Sequence, residues 1–256
     1  MTQLVLDQLV LDLPAQATTA PLQLSFESGQ LWGVLGPNGV GKTTLLHTLG
    51  GLQTARSGTI LLDQKPITQQ PRSIIAQRIG MMFQTHQDGF PATVYETVML
   101  GRHPHLGVWR AEQAEDHDLV DNALQRLELK SLQQRLITQL SGGERQRVAM
   151  AMLMVQTPDI WLVDEPTNHL DLNHQVRVMG LLDEYAKQGD CVVASLHDVN
   201  IAAQWCSHVL LLYPDQPARW GKAHDLLTLE NLEPLYQQSL SVGAIDGNTV
   251  FVPRQY

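Results

Sequence analysis

The residues best suited to chemistry form a glycine-rich run that ends in lysine and threonine. The run reads Gly36-Pro37-Asn38-Gly39-Val40-Gly41-Lys42-Thr43, followed by Thr44, and it matches the phosphate-binding loop pattern G-x-x-x-x-G-K-[ST] at every fixed position. Glycines in this pattern let backbone N–H groups converge on phosphate oxygens, while the lysine reaches the outer phosphates and the threonine hydroxyl ligates Mg²⁺. The run therefore predicts a site for a nucleoside triphosphate with Mg²⁺, against the alternative of a glycine-rich turn with a chance Lys-Thr.

The flanks of this run favour the phosphate-loop interpretation. Residues 31–35 are short and almost wholly apolar, which is typical of a buried strand. After the run, leucines at 45, 46, 49 and 52 recur at helical spacing, and Gly50-Gly51 can end the helix. Strand, loop and helix in this order provide the context that a phosphate site needs.

Two adjacent carboxylates follow a second apolar run. Residues 159–165 read Asp-Ile-Trp-Leu-Val-Asp-Glu, and alternation along a strand sends Asp164 and Glu165 to opposite sides unless the strand has ended. A division of roles follows, in which Asp164 positions Mg²⁺ through water and Glu165 polarises the water that attacks the γ-phosphate. The alternative is an acidic turn after a strand. His197 follows the apolar run 191–195, predicted to be the last strand, where it can contact the γ-phosphate and hold the attacking water.

A third motif, Ser141-Gly142-Gly143-Glu144, begins a predicted helix. Ser141 and Glu144 form a capping box ahead of an apolar face. Capping does not explain two glycines in the first turn, each of which costs about 1 kcal/mol relative to alanine. Glycines favour close approach of an anion to the backbone. Because Lys42 and its loop already hold one phosphate chain, this second surface is predicted to serve a nucleotide bound by another subunit.

Bulk properties exclude several classes. The 256 residues are 43% hydrophobic and 17% charged, an ordinary soluble globular composition. A net charge of −9 disfavours a nucleic-acid or anionic lipid surface as the main partner. No apolar run approaches 18 residues, and the N-terminus lacks the pattern of a secretory signal. Cys191 and Cys206 show no C-x-x-C pairing, so reduced, structural thiols are expected.

The remaining segments predict two additions to the phosphate-loop core. Alternating residues in 1–35 and short apolar runs at 58–62 and 79–83 predict a small, largely antiparallel layer. From Thr93 to about Met154 the period is helical, which indicates an inserted helical unit. Large apolar side chains gather early in this region, either as its core or as a groove for a short helix of a partner. They are Phe90, Pro91, Val94, Tyr95, Leu106 and Trp109.

Taken in order, the motifs resemble the ATP-binding subunit of an ABC transporter. The set comprises Gly36–Thr43, Gln84, Leu140–Glu144, Asp164-Glu165, Asn168–Asp171 and His197, and Leu229–Tyr236 resembles the C-terminal helix of that family. The resemblance implies an α/β, RecA-like P-loop ATPase that works as a dimer. It also implies that Gln84 contacts Mg²⁺ and water and senses the membrane subunit, and that Ser141–Glu144 and Asp171 act across the dimer. One departure is the absence of an aromatic residue near Leu13 and Pro14 to stack on adenine.

A narrower resemblance lies in residues 98–107, which are similar to importers of iron–siderophore complexes, haem and vitamin B12. It implies an ATPase, peripheral on the cytoplasmic side of the cell membrane, that powers import through permease subunits and, indirectly, a substrate-binding protein. The alternative is a soluble ABC-type ATPase not coupled to transport. One domain is expected over 1–256, with 1–87 and 157–256 as the ATP-binding core and 88–156 as the helical subdomain, and no appended regulatory domain.

Overall fold

The computed structural model describes residues 2–13, 20–83, 91–106 and 112–254. The first part of the chain is mostly strand, and its elements are β1 (Gln3–Val10), β2 (Leu22–Glu27), β3 (Leu31–Leu35), α1 (Lys42–Leu49), β4 (Ser57–Leu62), β5 (Lys65–Pro66), α2 (Arg72–Arg78) and β6 (Ile79–Met82). The middle part is helical, with α3 (Val94–Met99), α4 (Ala114–Arg126) and α5 (Gly142–Gln156). Short 3-10 turns lie at Ile67–Gln69, Leu100–His105, Lys130–Leu132 and Ile137–Gln139.

The last part returns to alternating strands and helices. Its elements are β7 (Ile160–Asp164), α6 (Leu172–Lys187), β8 (Cys191–Ser195), α7 (Val199–Trp205), β9 (His208–Leu211), β10 (Arg219–Lys222), α8 (Ala223–Leu226), α9 (Leu229–Tyr236), β11 (Leu240–Ile245) and β12 (Asn248–Pro253). No helix among the described residues has the length and apolar character needed to cross a bilayer.

A six-stranded sheet carries the site, in the order β10-β9-β3-β8-β7-β6. All neighbours are parallel except β10, which runs antiparallel to β9. The register sets Val34 beside Ser195 and Ser195 beside Asp164. The carboxyl ends of β3, β8 and β7 therefore meet at one edge, where ligands of open parallel sheets bind.

The prediction that β8 is the last strand is wrong. The run 208–211 forms β9, which pairs with β3 on the side away from β8. Only four residues long and wholly apolar after its first residue, this run carries no alternation, and periodicity alone cannot assign such a run. The terminal hairpin of β11 and β12 is likewise an addition that the sequence did not predict.

The predicted antiparallel layer is confirmed for the early strands and the run at 58–62, which form a sheet in the order β2-β1-β4-β5. Its extension to the run 79–83 is wrong, because β6 pairs in parallel with β7 in the six-stranded sheet. The register of β1 against β4 shifts between Asp7 and Val10. Gly58 lies opposite this irregularity with φ +86°, and a Cβ there would meet the Gln8 carbonyl oxygen at 2.2 Å. Only glycine fits such a close approach of two backbones, so this residue fixes the shape of the layer.

Two hydrophobic cores lie on the two faces of the parallel sheet. Along β3, Leu31 and Leu35 face the core shared with the helices, whereas Trp32 and Val34 face the core shared with the antiparallel layer. Helices α3 and α4 pack on α5 in the first core. The side chain of Val94 is fully buried there, so the suggestion that Val94 lines an exposed groove is wrong and its alternative, a core position, is correct.

The two cysteines are buried and are not joined in a disulfide. Cys191 lies in β8 and Cys206 directly follows α7. Burial raises the pKa of each thiol to about 12. The division of the chain at residues 88 and 156 stays a prediction.

Candidate functional site

The loop between β3 and α1 has a backbone that glycine makes possible. Gly36, Gly39 and Gly41 have φ of 157°, 79° and 110°. A Cβ on Gly36 would lie 2.5 Å from the Leu212 carbonyl oxygen, and one on Gly41 would lie 2.8 Å from a methyl carbon of Leu13. The loop is thus held closely between β9 and the end of the antiparallel layer, and its N–H groups precede the N-terminus of α1.

Lys42 begins α1, and its ammonium group folds back over the loop. Its Nζ donates hydrogen bonds to the carbonyl oxygens of Gly36 at 2.7 Å and Pro37 at 3.2 Å. Burial lowers the pKa of Lys42, while the charges of Glu165 and Asp164 oppose that shift. The loop therefore presents a partly desolvated cation between glycine N–H groups and two carboxylates, which suits a phosphate chain.

Thr43 and Asp164 meet across the ends of α1 and β7. The Thr43 hydroxyl donates to Asp164 Oδ2 at 2.7 Å, and the Ser195 hydroxyl donates to Asp164 Oδ1. Asp164 is fully buried. A hydroxyl and a carboxylate oxygen in contact form a hard-oxygen donor set, which is the kind that Mg²⁺ takes alongside water and phosphate oxygens. These residues fit the predicted metal.

Glu165 is the residue at which the strand has ended. The strand β7 stops at Asp164, and Glu165 turns to φ 50°, so simple alternation no longer separates the two carboxylates. One carboxylate oxygen of Glu165 contacts His197 Nε2, and the other accepts a hydrogen bond from Asn168 Nδ2. Glu165 is only 7% exposed. A carboxylate held by an imidazole near a phosphate site is suited to polarising water.

Lys42, Thr43, Glu165 and His197 share one cleft of about 620 Å³. Asp164 is fully buried and contacts the cleft through the Thr43 hydroxyl. The cleft is lined by Leu13, Asn38, Gly39, Gly41, Lys42, Thr43, Thr44, Glu165, Asn168, His169 and His197. Gly36 and Pro37 contribute through the carbonyls that hold Lys42, and the Val40 side chain is buried in the core instead. The sequence offers no aromatic residue near Leu13 and Pro14 to stack on adenine, and in the structure Leu13 lines the cleft. Pro14 lies outside the described residues.

The turn at Ser141 has the predicted capping box. Ser141 N–H donates to Glu144 Oε2 at 2.7 Å, and Glu144 N–H donates to Ser141 Oγ at 3.3 Å. The Ser141 N–H lowers the pKa of Glu144. Ser141 and Gly142 are exposed, and residues 141–144 do not line the cleft of their own chain.

The two glycines of this turn have different surroundings. A Cβ on Gly143 would lie 3.0 Å from the His169 carbonyl oxygen, whereas one on Gly142 would meet nothing closer than 3.7 Å. Packing of the turn on the loop after Glu165 is thus a reason for glycine at 143. Anion approach remains the interpretation for Gly142.

Other predicted site residues divide into two groups. Asp171 caps α6, accepting from His174 N–H at 2.9 Å, and this bond lowers its pKa. Its carboxylate is exposed, so it has a structural task besides the predicted one. Gln84, Phe90 and Trp109 lie outside the described residues.

Two residues that hold Asp164 or Glu165 were not predicted to have a role. Ser195 donates to the Asp164 carboxylate, and Gln146 Nε2 donates to the backbone carbonyl oxygen of Glu165 at 2.9 Å. Asn168, named only as part of a motif, donates to the Glu165 carboxylate. A signal existed for Ser195, since a polar residue ends a buried strand beside the carboxylate-bearing one. Gln146 gave only a weak signal, a polar residue within a largely buried helix.

Comparison with known proteins agrees with this geometry. A family model described as ABC transporter matches residues 19–168. The chain is 34% identical over 231 residues to the ferric enterobactin transport ATP-binding protein FepC of Escherichia coli, covering 90% of this chain and 85% of FepC. It is 37% identical over 229 residues to the hemin import ATP-binding protein HmuV of Nocardia farcinica, covering 90% of this chain and 79% of HmuV.

The solved structures that this chain resembles also include ABC transporter proteins. An ABC transporter assigned to the metal-chelate type, in an inward-facing conformation, superposes with a TM-score of 0.86 at 29% identity, covering 100% of this chain and 98% of that one. A dimeric bacterial ABC transporter cassette superposes at 0.74 with 26% identity, covering 86% and 98%. This chain belongs to the ABC transporter family. It is an ATP-binding ATPase of that family, and the predicted resemblance and fold class are confirmed.

Proposed function

We propose that this chain hydrolyses ATP as one of two ATPase subunits that power import of a metal-chelate-type substrate, such as an iron–siderophore complex, haem or vitamin B12. The observation that carries the enzymatic part is the convergence of Lys42, the Thr43–Asp164 pair and the Glu165–His197 pair at one sheet edge. The substrate class is supported by relatives named for ferric enterobactin, hemin and iron(3+)-hydroxamate import.

Each group has a distinct task in hydrolysis. Lys42 and the glycine N–H groups hold the phosphate chain and offset its negative charge. Thr43 and Asp164 would hold Mg²⁺, which would supply positive charge to offset that of the phosphate oxygens. Glu165 accepts a proton from the attacking water, and His197 orients the carboxylate by holding one of its oxygens. Asn168 holds the other oxygen, so the carboxylate plane is fixed from both sides.

A second copy of the chain completes each site in this proposal. The turn Ser141–Glu144 is exposed and does not line its own cleft, yet it combines helix N-terminal N–H groups with an unobstructed Gly142. Such a turn is suited to the phosphates of a nucleotide on the facing subunit. Solved cassettes of the family include a dimer. Asp171 lies beyond the loop on which this turn packs, at the start of α6, and we place it near the dimer contact.

An exposed apolar surface is the proposed contact with a permease subunit. It comprises Leu52, Ile74, Phe83 and Leu100, which are 58%, 42%, 37% and 60% exposed. The elements that carry them are neighbours. The Phe83 ring contacts His47 of α1 at 5.6 Å between centroids, and Gln77 of α2 donates to the Pro104 carbonyl at 2.8 Å. Arg72 of α2 also donates to the Gly51 carbonyl, beside Leu52.

The proposed occupant of this surface is a short amphipathic helix of the membrane subunit, since grooves between helices commonly receive such helices. The surface replaces the predicted one, in which Val94 was exposed. Gln84, the predicted sensor, directly follows Phe83 in sequence. This contact would place the chain peripherally on the cytoplasmic side of the membrane, with a substrate-binding protein reached only through the permease.

Substitution of Glu165 tests the catalytic assignment. Glu165→Gln keeps the shape of the side chain and removes the base, so we expect it to bind ATP, to hydrolyse it at least 10²-fold more slowly, and to accumulate as an ATP-bound dimer. Lys42→Ala is the contrasting variant, because it should lose most ATP affinity while remaining folded. Turnover of Glu165→Gln within a few-fold of the parent would move the base to another residue, with His197 the next candidate.

Mixing two inactive chains tests the dimer. Ser141→Arg blocks the signature turn but leaves the phosphate loop intact, and Lys42→Ala does the reverse. Heterodimers then contain one intact site only if Ser141 acts across the interface. Activity above that of either variant alone is expected. If heterodimers form without any recovery, the turn serves the nucleotide of its own chain.

Charge substitutions test the permease contact. Leu100→Glu and Ile74→Glu place carboxylates on the proposed surface and should abolish co-purification with the membrane subunit while ATP affinity is retained. Val242→Glu is a matched control, because Val242 is 52% exposed in the separate hairpin of β11 and β12. Full co-purification of Leu100→Glu and Ile74→Glu would place the contact elsewhere.

A further inference from the structure

The backbone of Glu165 adopts a conformation that its sequence neighbours disfavour. Its φ is 50°, in the left-handed region that few residues other than glycine occupy. The next residue is Pro166, and the ring of a proline pushes the preceding residue towards extended conformations. A residue held in such a conformation persists only where its surroundings determine it strongly, and such residues concentrate at functional sites.

Two side chains hold it here, one on each peptide group, in addition to the backbone bond at 3.2 Å that the Glu165 carbonyl oxygen accepts from Asn168 N–H. The Glu165 N–H donates to Ser195 Oγ at 2.9 Å, and the Glu165 carbonyl oxygen accepts from Gln146 Nε2 at 2.9 Å. Ser195 is fully buried and Gln146 is 6% exposed. Both bonds therefore lie away from water, where a hydrogen bond is strong and its loss is costly.

The two side chains come from different parts of the fold. Ser195 is the last residue of β8, two residues before His197, and its hydroxyl also donates to Asp164. Gln146 lies in the second turn of α5, five residues after Ser141. The peptide at Glu165 is thus fixed from the sheet on one side and from the helix of the signature turn on the other.

We infer that Gln146 and Ser195 are positioning residues for the reaction: they hold the Glu165 peptide in its left-handed conformation so that the carboxylate meets His197 and Asn168. Gln146 has a further consequence that rests on the proposed function. Because it links Glu165 to the helix that begins at Ser141, a shift of the signature turn on the partner's nucleotide displaces the base in the chain's own site.

Gln146→Met isolates the bond, since methionine has a similar length and no donor. We expect kcat to fall on the order of 100-fold, the penalty typical of an ångström-scale misplacement of a catalytic group. KM for ATP should stay within about twofold, because the Lys42 ammonium is held by carbonyls of its own loop, whereas Gln146 donates to Glu165. Met150→Leu is the control, a conservative change at another buried position of α5, and should leave kcat unchanged. An unchanged kcat in folded Gln146→Met would overturn the inference.

A double-mutant cycle separates positioning from a general structural role. In single-turnover assays, Gln146→Met combined with Glu165→Gln should hydrolyse ATP as slowly as Glu165→Gln alone, because Gln146 acts through the base that is already absent. If Gln146→Met lowered the hydrolysis rate by the same factor in the parent and in Glu165→Gln, Gln146 would act on a group other than the Glu165 carboxylate. That result would overturn the inference. Ser195→Ala provides a second variant should Gln146→Met fail to fold, with Ser195→Thr as the rescue that keeps the hydroxyl.

The cycle also separates this inference from the proposed function. If Glu165→Gln itself turns over like the parent, the assignment of the base is wrong and the proposed function fails at that point. If Glu165→Gln is inactive but Gln146→Met and Ser195→Ala retain the parent kcat, the base assignment stands and only the positioning role is refuted.

Discussion

Replacing Gly101 by alanine would direct a new methyl group at the backbone of the helix that carries the signature turn. Gly101 lies in the 3-10 turn Leu100–His105, and a Cβ there would be 2.2 Å from the Met152 carbonyl oxygen and 3.3 Å from the Gln156 nitrogen. Both atoms belong to the backbone of α5, so no side-chain rotation relieves the clash. Ordinary contact begins at 3.4 Å, so the turn and the helix have to separate by roughly an ångström.

That separation would strain the bonds that fasten the turn to the end of α5. Arg102 Nη1 donates to the Val155 carbonyl at 3.0 Å, and His105 Nε2 contacts the Gln156 carbonyl at 2.8 Å. Arg102 also pairs with buried Asp116 at 2.7 Å. Overpacking of a tight site costs about 1–3 kcal/mol, and we expect the upper half of that range because backbone faces backbone. For a chain of this size, about 2–3 kcal/mol lowers Tm by roughly 4–12 °C.

Thermal and urea unfolding of Gly101→Ala measure this cost directly. The matched control is Gly243→Ala, since Gly243 has no neighbouring atom within 4 Å of the added Cβ and no positive φ. We expect the control to stay within about 0.5 kcal/mol of the parent. A Gly101→Ala protein whose Tm and urea midpoint match those of the control would refute the reasoning, because it would show that the turn moves away from α5 at no cost.

Two further predictions concern titrating groups. Burial raises the pKa of Cys191 and Cys206 to about 12, so neither thiol should react with iodoacetamide at pH 8 in the folded protein and both should react in urea; rapid labelling of the native chain would contradict this. The hydrogen bond from Ser141 N–H lowers the pKa of Glu144. The folded state therefore binds fewer protons than the unfolded chain between the two pKa values. The stability that this bond contributes is present above about pH 4.3 and is lost as the pH falls through the lowered pKa. Glu144→Gln should therefore show a weaker loss of urea stability on acidification than the parent, and identical pH profiles would contradict the assignment.

The sequence was most informative where a buried strand ends in a residue that does chemistry. The strands at 31–35 and 191–195 have the predicted bounds, and the run before Asp164 forms β7. Strands in a parallel sheet are covered on both faces and so read as continuous apolar runs. When a glycine loop or a carboxylate follows such a run, the sequence alone predicts both the end of the strand and the functional residue at that end. The run at 208–211 lacked such a residue, and β9 was missed.

Side-chain contacts that depend on the register between strands could not be predicted from the sequence. Ser195 touches Asp164 because β7 and β8 are paired in a particular register. Gln146 reaches Glu165 because the start of α5 lies beside the end of β7. The side chains of Gln146 and Ser195 together stabilise the turn at Glu165. The burial of Val94 also could not be predicted, because residue spacing alone does not distinguish a core position from an exposed groove.

The proposed permease contact and the nucleotide cleft are joined by two short structural paths. Phe83 directly follows β6, whose Met82 pairs in parallel with Val163, the residue before Asp164. The Phe83 ring also contacts His47, which lies in the last turn of the helix that begins at Lys42. In the proposed contact, a membrane helix that displaced Phe83 would act both on β6, which neighbours the strand that ends in Asp164, and on the helix of the phosphate loop. Because strands and helices in a close-packed interior shift as units, such a contact would reach both halves of the site.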